Sequence, residues 1–106
     1  DRPVELTVIS AQGAAGSEPG IRQIEVNWKA SHLPPGGTLM MEKAAGSGPG
    51  SVDWENAQTV VLPGPEGEII TTYVGSSGAA LYVRLVVRGG PKVKPSEPTK
   101  VVFSQP

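Results

Sequence analysis

At 106 residues the chain has room for one domain, spanning residues 1–106, with a single hydrophobic core. Only 18% of residues are charged and the net charge is −1, so neither charge-driven disorder nor a general attraction to nucleic acid or an anionic membrane is expected. The lack of cysteine excludes a disulfide framework and a thiolate metal site.

Glycine and proline supply nearly a quarter of the residues, spread between alternating apolar segments, which is the mark of many tight turns. No stretch approaches the roughly 18 apolar residues of a membrane span. No basic start followed by an apolar leader is present either. The chain opens at Asp1 rather than Met, which suggests a mature product or an excised part of something larger.

Val4, Leu6 and Val8 alternate with polar neighbours and predict a first strand, broken by the stretch AQGAAGSEPG. In IRQIEVNWKAS, Ile24, Val26 and Trp28 share one face while Gln23, Glu25, Asn27 and Lys29 share the other. That period of two predicts a second strand with one buried side, and Trp28 belongs to the core. The prolines and glycines of SHLPPGG end it.

TLMMEKA predicts a third strand with Leu39 and Met41 inward. SVDWENAQTVVL holds one or two short strands, with Val52 and Trp54 on one face. IITTYV, β-branched and aromatic, predicts another. In LYVRLVVR, Leu81, Val83, Leu85 and Val87 look inward, while Tyr82, Arg84, Val86 and Arg88 meet water. TKVVF closes the chain with Val101 and Phe103 inward. About seven strands at roughly ten-residue intervals, with no window fit for an α-helix, predict an all-β antiparallel Greek-key sandwich.

IEVNWKAS resembles the second strand of a fibronectin type III domain, LYVRLVVRGG its sixth, and PSEPTKVVF its last, which Ser-x-Pro commonly introduces. The resemblance covers most of the chain in order and spacing; an immunoglobulin-like sandwich more broadly fits the same order. Two features depart from the family. Its corner tyrosine aligns with Leu81, leaving Tyr82 one residue out of phase, and the loop after Trp28 and the GSSGAA approach to the sixth strand are looser than usual. The family's integrin-binding Arg-Gly-Asp triplet is absent, so that activity is not implied. The resemblance implies a seven-stranded fold with chain ends at opposite poles, suited to a spacer between neighbouring domains of a parent protein. Cysteine-free, Gly/Ala/Pro-rich versions are similar to modules of secreted bacterial enzymes or phage virions, so the expected setting is extracellular, cell-surface or virion.

Catalysis is not expected. His32, the only histidine, sits beside Ser31 in a Pro/Gly loop, and adjacent residues of an extended chain point apart. Asp53 with Glu55, and Glu66 with Glu68, read as solvated acids rather than a calcium site, and no cofactor motif occurs. The glycine-rich GSGPGS and PGPEGE lack the lysine and helix start of a phosphate cradle.

Charge, however, is unevenly placed. From Leu81 onward there are five basic residues against one acid, Glu97. Tyr82, Arg84, Arg88, Lys92 and Lys94 form a candidate protein-binding face on the sixth and seventh strands. The plainer reading is that these charges keep the sheet soluble and guard its edge. The alternative function is a carbohydrate-binding module of a polysaccharide-active enzyme, with Trp54 and Tyr73 as stacking platforms.

Overall fold

A computed structural model describes residues 3–16, 18–75 and 79–103. It is all-β, with strands β1 (Glu5–Ala15), β2 (Ile21–Ser31), β3 (Thr38–Gly46), β4 (Gln58–Val61), β5 (Glu66–Val74), β6 (Ala80–Arg88), β7 (Thr99–Lys100) and β8 (Val102–Phe103). Two four-stranded sheets result, in the orders β5-β2-β1-β8 and β4-β3-β6-β7. All pairings are antiparallel except β1 with β8, which is parallel.

The sheets enclose the apolar faces read from the alternation. Ile24, Val26 and Trp28 of β2 meet Met41 of β3 and Leu81, Val83 and Leu85 of β6, all essentially removed from water. Complete burial of each such aliphatic side chain is worth about 1.5–3 kcal/mol. Trp28 also donates its indole N–H to the Gly64 carbonyl at 3.0 Å, so burying the ring leaves no polar atom stranded.

β1 is longer than its sequence predicts. The register with β2 slips between Val8 and Ser10, so Ile9 is an extra residue and is 63% exposed. Such a bulge reverses the parity of the strand. Leu6 and Val8 pack inward before it, and Ala11 and Gly13 are buried after it. The supposed break at AQGAA is therefore a change of phase. A Cβ at Gly13 would run into the Phe103 ring, which takes up the space that glycine leaves open.

The end of the chain also differs from the single strand expected. β7 lies on β6, then Val101, 2% exposed, passes into the core and β8 continues on β1. One predicted strand thus becomes two short ones serving different sheets, and the described residues form eight strands where about seven are expected. The break after β6 has a steric cause. Gly89 and Gly90 adopt left-handed backbone at φ 81° and 65° and press against the backbone of Pro35–Gly37, where a side chain would collide.

Candidate docking face

The outer face of the second sheet is set by its register. One row across it is Val61–Met40–Val86, the next Thr59–Glu42–Arg84, and the next Ala44–Tyr82–Lys100, with Arg88 beside Thr38 at one end. Arg84 and Arg88 are therefore on the face where alternation places them, and the phase of Leu81, Val83 and Leu85 is as expected.

That face does not simply meet water. Trp54 is not on a strand; it begins a single 3₁₀ turn, Trp54–Asn56, in the connection between β3 and β4. The connection is pinned back on β3 by Asp53 N–H donating to the Ala45 carbonyl at 3.0 Å and by a bridge between Gly46 and Val52. Asn56 donates to the Asp53 carboxylate at 2.7 Å and holds the turn itself. Folded back this way, the Trp54 ring lies 4.2 Å from the Arg84 guanidinium carbon.

Arg84 in turn donates from Nε to Glu42 Oε1 at 2.7 Å, and Arg88 donates from Nη2 to Glu42 Oε2 at 3.3 Å. The Glu42 side chain is only 9% exposed, against 22% for Arg84 and 58% for Arg88. The carboxylate is shut off from water by its own counter-ions rather than by the core. Two guanidinium groups around one carboxylate leave the cluster with an excess positive charge, most of it on the exposed Arg88. Lys100 lies one row away, and Lys92 and Lys94 are exposed in the stretch after Arg88. Ser96 fixes that stretch to β6, donating its N–H to the Leu85 carbonyl at 3.0 Å and accepting the Leu85 N–H at 2.8 Å.

Tyr82 corrects the predicted face. It points outward with Arg84, but it is 5% exposed, and Val86 is 7% exposed. Ala44 and Lys100 flank Tyr82 in the sheet, and a lysine stem readily covers a neighbouring ring. Tyr82 supports the face and offers it no open aromatic surface.

Trp54 and Tyr73 do not share a platform. Tyr73 is on β5 of the other sheet, packed against the core, with the Arg22 guanidinium 5.6 Å from its ring centroid and 5.4 Å from that of Phe103. His32 is exposed in its loop at φ 60°, and none of the three depressions lined by Gln12–Glu25–Ile70, Val4–Lys94–Glu97 or Glu5–Lys29 includes it. Among the described residues, no three His, Asp or Glu side chains come together as metal ligands could.

The alternation also conceals a buried lysine. Lys43 faces the core between the sheets, 4% exposed, and its Nζ donates to Thr71 Oγ1 at 2.9 Å and the Thr72 carbonyl at 2.7 Å. Burial holds its pKa below the usual lysine value. Neither Glu42 nor Lys43 was singled out in the sequence. Glu42 has the outward parity and the charge to pair with Arg84, but only the β3–β6 register brings them together.

Compared with protein-family models, curated proteins and solved structures, the chain has no match.

Proposed function

We propose that the chain is a non-catalytic, fibronectin type III-like module that positions neighbouring domains of a secreted, cell-surface or virion protein and docks another protein on its second sheet. The strand order supports the Greek-key topology. The first, second, fifth and eighth strands share one sheet and the third, fourth, sixth and seventh the other, so the chain crosses repeatedly between layers.

The observation that carries the docking role is the ladder Trp54–Arg84–Glu42–Arg88. Arginine and tryptophan dominate binding hot spots when they are held rigid before the partner arrives. Here the turn fixes the tryptophan and Glu42 fixes both arginines. Val61, 58% exposed on the neighbouring strand, adds apolar area beside them. The excess positive charge selects an acidic partner surface. The carbohydrate-binding alternative has less support, because Arg84 covers Trp54 and Arg22 covers Tyr73.

Titration of the domain with a capped peptide alternating Glu and Leu tests the docking role. The Trp54 indole and the Arg84 and Arg88 Nε–H signals are expected to shift together in NMR spectra, and the effect to fade with salt. Shifts scattered over both sheets, or none at these groups, would refute it.

A further inference from the structure

Among the described residues the first sheet ends at β5, whose nine residues pair with β2 and with no other described strand. In an antiparallel pair alternate residues turn their N–H and C=O groups away from the partner. In β5 these are the even-numbered residues, as the side chains reaching their edge show. The Gln58 amide imitates a strand neighbour at Val74, with Nε2 donating to the Val74 carbonyl at 2.7 Å and Oε1 accepting the Val74 N–H at 3.2 Å. Lys43 takes the Thr72 carbonyl at 2.7 Å.

Because Lys43 and Gln58 are opposite each other in the β3–β4 register, one corner of the second sheet closes this end of β5. Toward the other end no described residue takes the edge-facing groups of Glu68 and Ile70. A nine-residue strand with half its edge closed and half open is a template for one more strand.

Side chains over the open half are equally specific. Ile70 is 65% exposed, and Glu66 and Glu68 are exposed on the same outer face. Across β2, Glu66 has Lys29 beside it, but Glu68 has Asn27 and Ile70 has Glu25. Glu68 and Glu25 therefore set a negative field around an apolar side chain at the open edge.

We propose that the Glu66–Ile70 edge of β5 accepts a strand from a basic extended polypeptide, placing a Lys or Arg beside Glu68 and an apolar side chain over Ile70. A second copy of this chain is the wrong occupant for its own β5. Symmetric antiparallel registers set the two Glu68 carboxylates opposite or diagonal to each other, or run into the end held by Lys43 and Gln58. This edge belongs to the opposite sheet from the docking face, and the two readings stand or fall separately.

The test uses a capped peptide of about six residues, the usual strand length, with Lys and Val alternating on one face and Thr on the other. In the free domain the Glu68 and Ile70 amides should exchange hydrogen quickly, and the Ile69 and Thr71 amides, bonded to β2, slowly. Bound peptide should slow Glu68 and Ile70 selectively. Ile70→Pro removes a donor on the open side only, where proline is tolerated, and should abolish binding. Glu68→Lys should weaken binding by about tenfold or more, the scale of one charge-assisted contact. Should Ile70→Pro not fold, Glu68→Lys and the exchange pattern decide. Unchanged exchange at Glu68 and Ile70 with saturating peptide, or undiminished affinity in Glu68→Lys, overturns the proposal.

Discussion

Arg84 and Arg88 carry the same charge, sit four residues apart on the same face and bind the same carboxylate, yet their removal should have unequal effects. Arg84→Ala deletes a 2.7 Å charge-assisted hydrogen bond and the contact with Trp54, and it opens Glu42 to no new partner. A hydrogen bond to a charged group contributes about 1.5–3 kcal/mol, and a partly desolvated cation–π contact about 0.5–2 kcal/mol. At 22% exposure some of each is regained by water in the variant, so the net loss should be about 2–3 kcal/mol. Arg88→Ala deletes a 3.3 Å contact from a side chain already 58% exposed, the situation of a surface ion pair, and should cost about 0.5 kcal/mol. Urea denaturation of both variants and of each combined with Glu42→Gln gives the pairwise couplings. The Glu42–Arg84 coupling should exceed the Glu42–Arg88 coupling by about 1 kcal/mol or more, with m-values unchanged. Equal losses from the two arginines would refute the claim that Trp54 and the shorter contact make Arg84 the structural member of the pair.

Two further outcomes test the interior. Trp28→Ala should lower stability by about 3–5 kcal/mol, the scale of a large core truncation; an unchanged melting temperature would contradict the buried face of β2. Lys43→Met should change the pH dependence of stability. The folded pKa of Lys43 lies below 10.5, so between that lowered value and 10.5 the unfolded chain holds more protons and wild-type stability rises with pH, whereas below it the full cost of burying the ammonium is present. Urea midpoints measured from neutrality upward should show this rise in the wild type and not in Lys43→Met; equal slopes would place the Lys43 amine in water.

The sequence was most informative where a strand keeps one phase between two identifiable turns. Ile24, Val26 and Trp28, and Leu81, Val83 and Leu85, are inward because period-two alternation needs no knowledge of the partner strand. Parity alone cannot report burial on the outer side. Tyr82 has the expected direction and the opposite environment, because its flanks are residues of neighbouring strands, Ala44 and Lys100, that parity within one strand does not reveal. The Ile9 bulge was hidden for a related reason: an inserted residue reverses parity, and small residues beyond it look like a loop. The candidate cluster was half legible. Arg84 and Arg88 stood out as charges on an alternating strand, but Glu42 joined them only through a register linking residues far apart in the chain, and Trp54 only through a turn. Lys43 had the parity of the core and the chemistry of the surface, a conflict that the carbonyl and hydroxyl on β5 resolve.

The division of the last strand has a mechanical consequence. β1 and β8 run the same way, with Gln12 opposite Val102 and Gly13 opposite Phe103. Tension drawing the start of β1 and the end of β8 apart would slide these strands lengthwise, straining their hydrogen bonds together instead of peeling them one at a time. Val101, sunk between the layers, would have to be dragged out of the apolar interior in the same movement.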